Sequence, residues 1–208
     1  MNIVRDENAE SLDAAASVIR SGGVVIVPTE TFYGLAADPF SNVAIRRIFE
    51  IKSRSGQKPL PLIADSVEFV KTIITDLPRT GHILMDRFWP GSLTMLLRPA
   101  RPFPALVTGP EGKIGLRVPP PCPARSLAAL VGQLITATSA NLSGDADPDT
   151  VDLIALPVRQ SVDLIMDLGS TPGGKPSTVV EPLEDSARIV REGAVPAAII
   201  RDYLRSAL

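Results

Sequence analysis

Helix-like and strand-like patterns alternate along most of this chain, and that alternation describes an α/β layer rather than a helical bundle or a β-sandwich. A first helix is predicted over residues 10–20, where Leu12, Ala15, Ala16 and Ile19 share one face and Gly22 and Gly23 follow as a stop. Val24, Val25, Ile26 and Val27 come next, an unbroken apolar run that suits a strand covered on both faces, with Pro28 expected to end it. Ser41 or Asn42 can cap a second helix carrying Val43, Ile45, Ile48 and Phe49, and Asp65 or Ser66 a third running through Ile74. Further strands are expected at 93–97, 114–118, 134–138, 164–166, 177–180 and 187–190. Many of the twenty prolines fall in 99–104, 119–123 and 172–176, where they stiffen connections without supplying ladder donors.

With 208 residues and 45% hydrophobic content the chain can bury a full core, and one domain spanning 1–208 is expected. No run approaches the roughly eighteen apolar residues of a membrane span. The first twenty residues carry acids and no signal-like apolar segment, so a cytoplasmic location without membrane contact is expected. The single cysteine, Cys122, excludes an internal disulfide, and with one histidine, His82, the usual Cys/His zinc clusters cannot be assembled; carboxylate-bound magnesium stays open. The formal net charge of −2 argues against non-specific coating of nucleic acid, so any anion site must be local. Lys52, Arg54 and Lys58 form the strongest basic cluster, which on charge alone reads as a solvated loop.

Several chemistries drop out. His82 lies in an amphipathic segment, a poor partner for a Ser-His-Asp or Cys-His arrangement, and is read as structural. Cys122 sits among prolines with no basic residue before Arg125 to lower its thiol pKa, so it is read as inert. Gly169, Gly174 and Lys175 have the spacing of a phosphate-binding loop, but Pro176 stands where a magnesium-holding Ser or Thr belongs, and a strand follows instead of a helix. No G-x-G-x-x-G fingerprint occurs. An enzyme with this inventory relies on positioning and charge stabilisation, with the nucleophile supplied by its substrates.

Two loops remain. Pro28-Thr29-Glu30-Thr31-Phe32-Tyr33-Gly34-Leu35 follows a buried strand and offers hydroxyls, a carboxylate and a glycine in one tight connection; alone it is equally well a satisfied turn. Ser139-Ala140-Asn141-Leu142-Ser143-Gly144 also follows a predicted strand and can wrap phosphate or ribose, although such a loop by itself is usually a turn.

Taken together with Lys52-x-Arg54 and Lys58-Pro59-Leu60, Trp89-Pro90-Gly91-Ser92-Leu93-Thr94, Arg117-Val118-Pro119, Ser177-Thr178-Val179-Val180 and Arg191-x-Gly193, these segments resemble the Sua5/YciO/YrdC family, in family order over nearly the whole chain. The resemblance implies a twisted, largely open mixed α/β sheet with flanking helices and a concave basic pocket. It implies a threonylcarbamoyl-AMP synthase: threonine takes up bicarbonate as a carbamate, which attacks the α-phosphorus of ATP and releases pyrophosphate. Carried over by motif, Lys52, Arg54, Lys58, Thr108, Ser139, Asn141, Ser143 and Arg191 would hold ATP, while Thr29, Tyr33, Arg117 and Thr178 would face L-threonine, Arg117 taking the carboxylate. As loop cations, Lys52 and Arg54 would contribute little to the core. Ser177 would neighbour either substrate, and Trp89-Pro90-Gly91 would shape a sheet edge. Magnesium would arrive with the triphosphate, with no protein ligand assigned.

The implied partners are a downstream transferase acting on adenosine 37 of transfer RNA and, more weakly, transfer RNA or double-stranded RNA itself. One departure stands out: where many longer relatives place a threonine-contacting histidine after the basic loop, this chain has Ile63. Its end at Leu208 matches the short, single-domain form. A family paralogue of the YciO type and a non-catalytic RNA-binding module are the alternatives; six Phe, two Tyr and one Trp offer few stacking platforms for the latter.

Overall fold

The computed structural model describes residues 2–53, 59–109, 111–132 and 134–208. In chain order the first half runs β1 (Asn2–Val4), α1 (Ala9–Arg20), β2 (Val25–Pro28), β3 (Tyr33–Ala36), α2 (Asn42–Ile51), β4 (Leu62–Ala64), α3 (Val67–Ile73), β5 (Ile74–Thr75), α4 (Arg79–Phe88) and β6 (Leu93–Pro99). The second half continues with α5 (Ala105–Thr108), β7 (Ile114–Arg117), α6 (Pro123–Leu130), β8 (Leu134–Thr136), β9 (Thr138–Ser139), α7 (Leu156–Gln160), β10 (Leu164–Met166), β11 (Thr178–Pro182), β12 (Ala187–Arg191) and α8 (Ala197–Ala207).

The strands form two mixed sheets, and the class is α/β as expected. The first has the order β1-β10-β2-β3-β9; β1, β10 and β2 are parallel, and β3 runs antiparallel to both of its neighbours. The second has the order β12-β11-β6-β7-β4-β8, with β5 pairing the far end of β6. Residues 134–139 pass from the edge of the second sheet to the edge of the first, and where they cross, Thr136 N donates to Ala37 O and Thr136 Oγ1 accepts from Ala37 N at 2.9 Å. The chain therefore links the edges of the two sheets through this segment.

Local chemistry sets the helix ends. Asn8 Oδ1 accepts from Ser11 N at 2.9 Å to start α1, and Gly22, at φ +81°, follows it in the left-handed region. Ser41 caps α2 and Ser66 caps α3, which decides the two alternatives left open at each start. Helix α1 buries Ser11, Ala15, Ala16 and Ile19, a stripe at helical spacing. That stripe packs with Ala124, Leu127 and Ala128 of α6 against Val25 and Val27 of β2, Ile63 of β4 and Ile135 of β8, a small cluster that joins both sheets. A larger cluster takes Ile26 and Leu35 from the first sheet, Leu93, Met95 and Leu116 from the second, Ile45 and Ile48 of α2, and Leu84, Ile200 and Leu204 of α4 and α8.

The 28–35 connection differs from its sequence reading. Pro28 ends β2 as its last residue, but the turn is confined to 29–32, and Tyr33 begins β3 as the partner of Pro28 in an antiparallel hairpin. Among the described residues no helix is long and apolar enough to cross a membrane.

Candidate functional site

A cavity of about 840 Å³ opens on one face of the second sheet and is bounded by the 29–34 and 139–147 segments of the first. Strand periodicity explains its floor. Thr94 and Leu96 of β6, Gly115 and Arg117 of β7, and Val179 of β11 line the cavity, while the alternating residues Leu93, Met95, Leu97, Ile114, Leu116 and Val180 enter the larger core cluster. Val179 pairs with Thr94, and Leu96 with Gly115, so cavity-facing residues stand opposite one another.

One wall is the 139–147 loop, which is held by its own polar groups. Asn141 Oδ1 accepts from Ser139 Oγ at 2.7 Å, and Asn141 Nδ2 donates to Asp145 O at 2.7 Å and Asp147 Oδ1 at 3.2 Å. Lys52, at the C-terminal end of α2, ties into this loop: its ammonium donates to Ser139 O at 2.5 Å, Asn141 O at 2.9 Å and Asn141 Oδ1 at 2.8 Å. Only 4% of Lys52 is exposed, which corrects its reading as a loop cation with little part in the core. Its three hydrogens each reach an acceptor, so in this state it lends the cavity positive charge rather than a free donor.

The opposite wall is the turn after β2. Thr29 Oγ1 donates to Phe32 O at 2.8 Å and accepts from the amides of Thr31 and Phe32, a hydroxyl-centred turn. Tyr33 is wholly buried; its hydroxyl donates to Gly169 O at 2.6 Å and accepts from Leu168 N at 3.2 Å, and burial pushes the phenol pKa up. The Tyr33 hydroxyl is thus turned to the 168–169 backbone although the residue belongs to the cavity wall. Between the walls, buried Arg117 donates from Nη1 to Glu30 Oε1 at 2.6 Å. Ile63 lies opposite Arg117 in the β4–β7 ladder, fully buried, so the family's histidine position is apolar here.

Thr108 and the exposed Ser143 sit on the rim. Arg191 donates from Nη2 to Ser177 O at 2.7 Å. Screening from water holds the Arg191 guanidinium below its ordinary pKa, with Asp147 opposing and Arg117 adding to the shift. Arg54 and Lys58 lie outside the described residues. The described lining carries Lys52, Lys113, Arg117, Arg188 and Arg191 against Glu111, Asp145 and Asp147, a mixed surface with a cationic excess.

Thr178 is a correction. It is fully buried and not part of the described lining; its hydroxyl donates to Val195 O at 2.6 Å and accepts from Gly193 N at 2.9 Å and Val195 N at 3.1 Å. Strand alternation turns it to the core face, where it pairs with Leu93, and leaves Ser177 and Val179 to the cavity. Gly193 explains its own motif position, since a Cβ there would come within 2.0 Å of Pro176 O.

Lys113 and Arg188 escaped the sequence reading. Lys113 bonds Glu111 and Glu181, and Arg188 also pairs with Glu181, which places a four-charge group at one end of the cavity. The available signal was parity: Lys113 is two and four residues from Gly115 and Arg117, on the same face of the extended chain. His82 is exposed on α4 and lines no described cavity. Burial pushes the Cys122 thiol pKa up, in keeping with an inert residue.

The family model Sua5/YciO/YrdC, described as telomere recombination, matches residues 17–193. The threonylcarbamoyl-AMP synthase of Pyrococcus abyssi is 35% identical over 182 residues, 88% of this chain and 54% of that one, so this chain spans about half of that relative's length. The threonylcarbamoyl-AMP synthase of Pseudomonas fluorescens (strain Pf-5) is 37% identical over 177 residues, 85% of this chain and 94% of its own. The crystal structure of P. abyssi Sua5 complexed with L-threonine superposes with a TM-score of 0.88 at 33% identity, covering 97% of this chain and 60% of that chain.

Proposed function

The chain belongs to the Sua5/YciO/YrdC family, and from that membership we propose that it is a nucleotidyltransferase that makes threonylcarbamoyl-AMP and pyrophosphate from L-threonine, bicarbonate and ATP. One observation carries the reading. Residues from motifs scattered between positions 29 and 191, namely Thr29, Tyr33, Lys52, Thr108, Arg117, Ser139, Asn141, Ser143 and Arg191, line a single cavity.

In this reading Arg117 receives the threonine carboxylate through its planar fork, and Ile63 beside it leaves recognition of the rest of the amino acid to other groups. Lys52 and Arg191, with Arg54 and Lys58, bring positive charge to the nucleotide phosphates, and the hydroxyls of Thr108, Ser139 and Ser143 with the Asn141 amide hold the nucleotide side. The threonine amine condenses with bicarbonate to a carbamate and water; a carbamate oxygen attacks the α-phosphorus, and pyrophosphate leaves in line. The nucleophile belongs to the substrate, which agrees with a cavity lacking histidine and cysteine among its described residues. Magnesium enters on the triphosphate as part of the nucleotide.

The product, a mixed anhydride, calls for a second enzyme that transfers the threonylcarbamoyl group to adenosine 37 of transfer RNA in the cytoplasm. A weak contact with transfer RNA or double-stranded RNA belongs to the same reading. The test is pyrophosphate release by purified protein with ATP, magnesium and bicarbonate, with and without L-threonine and with serine as comparison. Release that depends on threonine is the expected result. Nucleotide binding with no amino-acid-dependent release would replace this reading with a YciO-type paralogue.

A further inference from the structure

Glu30 and Ser92 belong to two of the motifs, Thr29-Glu30-Thr31 and Gly91-Ser92-Leu93, yet neither is part of the described cavity lining. Both stand behind Arg117, which is. Arg117 and Glu30 form an ion pair at 2.6 Å in which each side chain is only 8% exposed. Ser92 Oγ donates to the same oxygen, Glu30 Oε1, at 3.2 Å, while the second oxygen, Oε2, is buried and accepts no hydrogen bond from the described residues. Glu30 is itself mounted on the turn braced by Thr29.

A buried ion pair is a weak way to stabilise a fold, because desolvation cancels much of the Coulomb attraction and apolar side chains of the same volume serve as well. What it does well is select one orientation for a long, flexible side chain. The contact is one-point: Nη1 is committed to Glu30, and the other N–H groups of the fork meet no other described acceptor. The open Oε2 leaves the carboxylate able to follow the guanidinium when a ligand draws on it.

We propose that Glu30, held in turn by Ser92, is a positioning residue for the amino-acid substrate: it anchors Arg117 from behind so that the rest of the guanidinium is presented to an incoming carboxylate. This rests on Arg117 being the carboxylate site of the reaction proposed above. Glu30 touches neither substrate and acts through Arg117 alone.

The experiment is steady-state pyrophosphate release by wild type, Glu30→Ala, Glu30→Gln and Ser92→Ala, with KM determined separately for threonine and ATP and thermal unfolding recorded without substrates. Glu30→Ala is expected to raise KM for threonine about tenfold or more and to leave KM for ATP within about twofold. Glu30→Gln keeps an acceptor in the same place and restores most of the threonine KM. Ser92→Ala produces a smaller rise, about twofold to fivefold, again confined to threonine. An unchanged threonine KM in Glu30→Ala, or an equal rise for both substrates, overturns the positioning role. Should Glu30→Ala fail to fold, Ser92→Ala decides, and a threonine KM equal to wild type overturns it. Wild-type protein with no threonine-dependent release is a separate outcome that sinks the synthase reading and this inference with it.

Discussion

Lys52 brings its positive charge to the cavity at the point where α2 ends, and it holds the 139–141 backbone in place with the same ammonium. Lys52→Met removes the charge and leaves three acceptors short of a donor, so a loss of about 2–4 kcal/mol of stability is expected together with reduced pyrophosphate release. Denaturant unfolding reads the first effect; a midpoint equal to wild type would return Lys52 to the role of a loop cation. Thr178 gives the converse case. Thr178→Val strands the amides of Gly193 and Val195, and about 1–3 kcal/mol is the expected loss, with KM for threonine unchanged within about twofold. A threonine-specific rise in KM without loss of stability would place Thr178 at the substrate after all. At this scale a motif gives a position along the chain but not the direction of each side chain. Thr178 and Val179 are adjacent in one motif and face opposite sides of β11.

Among the elements, α1 was the most legible, because an apolar stripe and two glycines act within the same stretch, although its cap, Asn8, went unread. Asn8→Ala removes the acceptor for Ser11 N and should cost about 1 kcal/mol, a fall of roughly 2–4 °C in Tm for a chain of this length. Calorimetry would detect it, and an unchanged Tm would show that the first turn draws its stability from packing alone. Strands at 93–97, 164–166 and 187–190 are present nearly as read. Of the elements that the sequence left unread, β3, α6 and β4 were hidden for distinct reasons. Tyr33-Gly34-Leu35-Ala36 lacks alternation because β3 is buried along its whole length between β2 and β9. Helix α6 begins with Pro123 in its first turn, so the proline run before it reads as loop. Strand β4 is only three residues long, and position in a sheet, not propensity, makes it a strand.

For the whole molecule, ion-paired carboxylates set how the fold responds to acid. The hydrogen bond from Lys113, and after it Arg188, hold the Glu181 carboxyl below the ordinary glutamate range against the opposing effect of burial. Burial raises Asp163, but Arg47 and the Val24 amide outweigh it and leave that carboxyl low as well. A carboxyl whose pKa is lower folded than unfolded stabilises fully above the unfolded value and loses that contribution as pH falls through the folded one. Stability is therefore expected to stay level from neutrality to about pH 5 and to fall progressively below about pH 4. In Glu181→Gln the acid limb should be shallower; a denaturation midpoint constant to about pH 3 in the wild type would remove these pairs from the account. The sequence alone determined the α/β class, the apolar stripe and glycine stop of α1, and the ordered motifs that mark the family, because each of these depends on residues near one another in the chain. Only the tertiary structure decided that Lys52 anchors the 139–141 loop, that Thr178 turns to the core, that Lys113 and Arg188 join the cavity, and that Glu30 stands behind Arg117. Those facts depend on which strands pair and which face each side chain then takes, and pairing across 50 to 140 residues is settled by the packing of the two sheets together rather than by any local pattern.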